Sequence, residues 1–240
     1  MSAVLYSVSE GVATLTLNRP ESRNALNLEM CDGLIDACGL SSSDNSIKAI
    51  VVRAIGRVFC AGADLKERQG MNEAQVRERR MKGFAAYAAL EALPMPVVAV
   101  VQGPAVGSGC EIAGACDFIV ATPEASFRTP EALRGTVGAT QRLPRILGKR
   151  LAKDMMFTGR ILGAQEAKEA GLVSRLVSSP DLEAEIRKIT EIILAAPPDS
   201  LRLAKRCIDR GVELDPKGAL ETEIAAIEEQ LAAGSWMGKK

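Results

Sequence analysis

No histidine occurs anywhere in the 240 residues. Its absence excludes His-based catalytic triads, His-ligated metal sites and an imidazole general base. Proton transfer near neutral pH is left to carboxylates, lysine, tyrosine or cysteine. Aromatic residues make up only 3% of the chain, too sparse for the ring-lined grooves that bind single-stranded nucleic acid. Thirty basic and thirty acidic residues cancel, so no general attraction to nucleic acid or to an anionic membrane is expected. No apolar run approaches the roughly 18 residues of a membrane span. The six cysteines include no C-x-x-C pair, and no basic segment leads into an apolar signal core at the N-terminus. A reducing, cytoplasmic setting is the expectation.

What is present suits a large α/β domain: 47% of residues are hydrophobic and 25% charged, enough to bury a substantial core. Val97 to Val101 is a β-branched apolar run bounded by Pro96 and Gly103-Pro104, which predicts a strand buried on both faces and hence a parallel sheet. Ala49 to Val52 repeats the pattern. Val4 to Glu10 and Val12 to Asn18 read as a hairpin turning at Glu10-Gly11, with Ala13, Leu15 and Leu17 on one face. Asn27 is placed to cap a helix over Leu26 to Leu40, and a long charged helix is expected from Asn72 to Leu93. Residues 1–180 thus read as a mixed core and residues 181–240 as an amphipathic helical region.

Two small-residue loops, Ala61-Gly62-Ala63 and Gly107-Ser108-Gly109, each follow a buried strand and are each expected to open a helix. Adjacent strand ends would bring them together, so that one backbone N–H from each could bind the same oxygen, with small side chains permitting close approach. Glu111 falls in the first turn of the helix starting near Ser108, and Thr129-Pro130-Glu131 predicts another helix start with Thr129 as its cap. Two carboxyls in a partly apolar cleft can hold different protonation states and divide acid from base work. A structural alternative stands beside each: Ser108-Gly-Cys-Glu111 also fits an S-x-x-E capping box, and Glu131 fits a favourable charge at a helix N-terminus.

Five segments resemble, in order and spacing, the crotonase superfamily and within it the enoyl-CoA hydratases. They are Asn18 to Leu26, Phe59 to Glu67, Gly103 to Ala113, Pro130-Glu131 and Gly159 to Leu172. The resemblance spans nearly the whole chain. It implies a spiral of ββα turns with a helical C-terminal trimerisation region, assembled as a trimer or a dimer of trimers. By position it implies that Ala63 and Ser108 are backbone donors to a thioester oxygen and that Glu111 and Glu131 are the catalytic glutamates. It also implies that Arg23, Asn24, Ala25 and Leu26, with Ala61, Gly62, Asp64, Leu65, Lys66 and Gly107, line the acyl-CoA site. Coenzyme A would enter as part of the substrate, with no separate cofactor and no metal. The chain departs from the pattern in a shortened loop at Gly135 to Thr140. It also has Gly234 to Lys240 where the family commonly runs on through an aromatic and basic segment.

Hydration of an enoyl-CoA is the leading expectation. Isomerisation or thioester hydrolysis within the same superfamily, and non-catalytic acyl-CoA or RNA binding, are the alternatives. Gly107-Ser-Gly109 also opens a G-x-G-x-x-G fingerprint, but Ile112 stands where the third glycine belongs, which argues against dinucleotide binding.

Overall fold

The computed structural model describes residues 2–234; residues 235–240, including most of the C-terminal segment singled out above, lie outside the described residues. The chain opens with the expected hairpin, β1 (Val4–Ser9) and β2 (Val12–Leu17), paired antiparallel from Val4 against Leu17 to Ser9 against Val12. Both turn residues, Glu10 and Gly11, have positive φ, the backbone that matches strand twist in a two-residue loop. Asn27 caps α1 (Leu28–Ser43) by accepting from the Met30 N–H. β3 (Ala49–Ala54) then lies parallel to β2. A capping box between Asn72 and Gln75 starts α2 (Glu73–Glu91), and β4 (Val97–Val101) lies parallel to β3.

Beyond β4 the chain makes β5 (Pro104–Val106), α3 (Ser108–Gly114), β6 (Phe118–Ala121) and β7 (Ser126–Arg128). There follow α4 (Arg142–Thr158), β8 (Leu162–Gly163), α5 (Ala164–Glu169) and β9 (Arg175–Leu176). The main sheet has the order β1-β2-β3-β4-β6-β9, parallel after the hairpin, and a second sheet has the order β5-β7-β8. Single parallel bridges, Leu26 to Ala63 and Cys60 to Ala105, extend this second wall back toward the start of the chain. Each turn of the chain therefore adds a strand to one wall, a short extended piece to the other and a helix: a spiral of ββα units.

The central strand is buried throughout, as its composition predicts. Val97, Ala99 and Val101 face one core, shared with Leu15, Leu17 and Ile112. Val98 and Val100 face a second, covered by Leu182, Ile186 and Ile189 of α6 (Leu182–Ala195). Each such buried aliphatic side chain is worth about 1.5–3 kcal/mol of transfer free energy, so the all-apolar run is what lets a strand carry two cores at once. α7 (Pro198–Gly211) and α8 (Pro216–Ala232) pack against each other. No helix among the described residues is long and apolar enough to cross a membrane.

Candidate active site

The two small-residue loops are brought together by the second wall, where Cys60 bridges Ala105 and Val106 N–H donates to Cys60 O at 2.9 Å. Leu26 N–H donates to Gly62 O and Asp64 N–H donates to Leu26 O, both at 2.8 Å. In a parallel bridge these bonds come from the residues flanking Ala63, so the N–H of Ala63 itself points to the opposite side. At the second loop, Gly107 N–H donates to Arg128 O at 2.8 Å and Glu111 N–H to Gly107 O at 3.1 Å. The N–H groups of Ser108, Gly109 and Cys110 lie in the first turn, ahead of any intrahelical acceptor. Ala63 and Ser108 line one cavity of about 90 Å³ together with Glu111 and Glu131. An adjoining groove of about 550 Å³ is lined by Ala61, Gly62, Ala63, Leu65, Gly107 and Glu131 among others.

The capping box offered as the structural alternative for Glu111 does not form, and Glu131 stands at the N-cap of a single 3-10 turn without a side-chain capping bond. The cap of α3 is Gly107, with no side-chain capping bond, so Ser108 and Glu111 make no capping box. The Glu111 carboxylate turns instead to Arg142, accepting at Oε2 from Nη1 at 2.6 Å, while Oε1 is buried without a partner. Thr129 caps nothing, its hydroxyl being buried and unpartnered. The expected helix after it is a single 3-10 turn, Ala132–Arg134, ended by Gly135 in the left-handed region. The chain is drawn round there because the N–H groups of Arg134 and Thr136 both donate to Glu131 O, at 3.0 and 2.9 Å. The first loop likewise does not open straight into a helix. The Asp64 carboxylate accepts from the N–H groups of Lys66 and Glu67, holding a separate turn before α2.

Glu131 Oε2 is buried and unpartnered. Its Oε1 lies against Gly107, where a Cβ would come within 2.2 Å of it, and Gly107 has φ +52°. Only glycine serves both demands at that point. Burial raises the pKa of both carboxyls. For Glu111 the arginine opposes that rise, whereas for Glu131 the nearby charge of Glu111 adds to it.

The remaining expected site residues divide. Ala61, Gly62, Leu65 and Gly107 line the groove and Leu26 the inner cavity, but Arg23, Asn24, Ala25, Asp64 and Lys66 line neither. Asn24 is fully buried: Oδ1 accepts from Arg19 N–H, and Nδ2 donates to Ile55 O and Val58 O, all at 2.8 Å. Asp64 is paired with Arg19 at 2.9 Å. Asn24 thereby ties residues 19–24 to residues 55–58, and Asp64 is held to Arg19, so both side chains serve the scaffold rather than the cavity. Tyr87 and Arg80 of α2, Thr136 and Arg142 complete the surroundings of the two glutamates. Local sequence carries no signal for them, since each is brought in by packing rather than by a motif.

This ββα spiral is the fold of the crotonase superfamily. The chain belongs to its enoyl-CoA hydratase/isomerase family, whose family model matches residues 7–235. It is 36% identical over 233 residues to the short-chain-enoyl-CoA hydratase of Clostridium acetobutylicum, covering 95% of this chain and 89% of that one. It is 34% identical over 227 residues to the crotonyl-CoA hydratase of Syntrophomonas wolfei, covering 93% and 87%. The crystal structure of an enoyl-CoA hydratase from Bacillus anthracis superposes with a TM-score of 0.91 at 36% identity, covering 94% of this chain and 90% of that one.

Proposed function

We propose that this protein is an enoyl-CoA hydratase, adding water across the 2,3 double bond of an enoyl-CoA. In this reading the thioester oxygen sits between the backbone N–H groups of Ala63 and Ser108, preorganised donors worth about 3 to 4 kcal/mol each to the enolate. One carboxylate of the Glu111 and Glu131 pair takes a proton from water as the water oxygen bonds to C3. The π electrons move toward the thioester carbonyl, and the other carboxyl gives its proton to C2. The product is a 3-hydroxyacyl-CoA, and the pair has exchanged one proton. Coenzyme A enters as part of the substrate along the wall formed by residues 23–26 and 61–66, and the step calls on no separate cofactor.

The observation that carries this reading is the pair of buried, unpartnered carboxyl oxygens, Glu111 Oε1 and Glu131 Oε2, in one cavity with Ala63 and Ser108. A buried acceptor left without a partner costs free energy, and a substrate water between the two would satisfy both. An assembly of three or six chains in a reducing cytoplasm completes the proposal. It is supported by exposed apolar residues on α7 and α8 and by six unpaired thiols.

The test is hydration of crotonyl-CoA and of one longer enoyl-CoA by Glu111→Gln and Glu131→Gln. Each should lose about 10²-fold or more in turnover while still binding coenzyme A. Double-bond isomerisation can run on one group that takes and returns the same proton, so one harmless substitution would favour the isomerase and defeat the two-carboxyl mechanism. Release of free coenzyme A would point to hydrolysis.

A further inference from the structure

Behind Glu111 lies a chain of charges that neither the fold nor the oxyanion geometry requires. Arg142, the first residue of α4, donates from Nη1 to Glu111 Oε2 at 2.6 Å. Its Nε and Nη2 donate to the two carboxylate oxygens of Glu91, at the C-terminal end of α2, at 2.6 and 2.5 Å. The guanidinium carbon lies 5.5 Å from the centre of the Tyr87 ring, one turn earlier on α2. Arg142 and Glu111 keep side-chain exposures of 17% and 7%, while Glu91 keeps 45%. A guanidinium is a rigid planar fork, so fixing one edge fixes the other. Glu91 grips the outer edge from the solvent side and thereby points the remaining N–H at Glu111.

We propose that Arg142, aimed by Glu91, is a positioning residue that keeps the Glu111 carboxylate ionised. The inference rests on the hydratase reading. Two carboxyls in one buried cavity disfavour double ionisation, and the nearest cation decides where the single proton resides. Facing Glu111 are Arg142 from α4, Glu91 and Tyr87 from α2, Cys110 from its own helix and Glu131 from the loop after β7. Facing Glu131 are Glu111, Cys110, Arg134 and Arg80. Arg80 spends its Nη2 on Val137 O, and among the described residues neither arginine hydrogen-bonds the Glu131 carboxylate. Arg142 thus breaks the symmetry of the pair. Glu91 has two opposed effects, aiming the arginine while drawing off part of its charge.

Full-length protein labelled with ¹³C at the glutamate δ-carbon reads this without turnover, the Glu111 signal being assigned by its loss in Glu111→Gln. In Arg142→Gln the Glu111 midpoint should rise by about one pH unit or more, and the acid limb of kcat/KM for hydration should move up with it. Arg142→Lys, which keeps the charge, should recover most of the shift. Glu91→Gln should move the midpoint less than Arg142→Gln does, because it removes the grip on the guanidinium and the competing negative charge together. A tie that merely clamps α4 to α2 would lower Tm in Arg142→Gln and Glu91→Gln alike and move neither midpoint, and that result overturns the proposal. If Arg142→Gln does not fold, Arg142→Met is read in its place, and an unmoved Glu111 midpoint there overturns the proposal equally. A protein that shows the shifts but hydrates no enoyl-CoA sinks the hydratase reading and leaves the charge assignment standing.

Discussion

Glu131 sits against Gly107 with one carboxyl oxygen buried and unpartnered, a placement that stability alone would not select. Burial, reinforced by the charge of Glu111, holds its pKa above the value it has in the unfolded chain. Folding therefore favours its protonated form. Its stabilising contribution is complete below the ordinary carboxylate range and is lost as pH rises through the raised value. Glu131→Gln, neutral at every pH, should melt about 2 to 4 °C higher than wild type near pH 8. Thermal melts in buffers from pH 8 to 5 should show that advantage shrinking as the wild-type carboxyl takes up its proton. An advantage that grows toward acid pH would contradict the burial argument. At this scale Glu111 and Glu131 stood out as candidates by their first-turn positions and, above all, by the resemblance of their segments to the crotonase superfamily. Arg142 did not, because it is 31 residues from the carboxylate it touches and nothing local marks the pairing.

Among the elements, the main sheet and its helices follow from the sequence because each carries a period long enough to read. The Val97–Val101 run, the alternation of Ala13, Leu15 and Leu17, the cap at Asn27 and the long helix beginning near Asn72 all appear as expected. The second sheet was not foreseen. Its strands are two or three residues long and include Pro104 and Gly163, so no alternation can develop and pairing with distant backbone decides them. The helix expected after Thr129 failed for a related reason. The Glu131 carbonyl takes two N–H groups from the following loop, and Gly135 turns the chain out. Asn24 shows how one side chain can stand in for an element. Two of its hydrogen bonds, to Ile55 O and Val58 O, join the loop after β2 to the segment after β3 without a strand between them, and the third closes the loop on Arg19. Asn24→Ala should lose about 2 to 4 kcal/mol, because it strands a buried donor and two acceptors. A urea midpoint checks this, and a loss under about 0.5 kcal/mol would place Asn24 among ordinary surface substitutions.

For the whole molecule, α6 completes the second core while the faces of α7 and α8 stay uncovered. Ile208, Val212, Leu220, Ile224 and Ile227 are 45 to 75% exposed. Apolar stripes on amphipathic helices are stable when a partner covers them. Light scattering should report three or six chains together, and a lone 25.5 kDa species would refute the assembly.

Glu111 and Glu131 also differ in what holds them. Glu111 belongs to a helix packed into the main core, whereas Glu131 is steadied by the loop through Val137, where Leu133 and Val137 are 55% and 71% exposed. Arg80 pins that loop to α2 through the Val137 carbonyl. Segments with few buried contacts open at a fraction of the global unfolding free energy. The two halves of the proposed reaction accordingly stand on ground of unequal firmness: mild heat or denaturant should loosen Glu131 while the spiral is intact, and fading turnover would then gauge one loop rather than the fold.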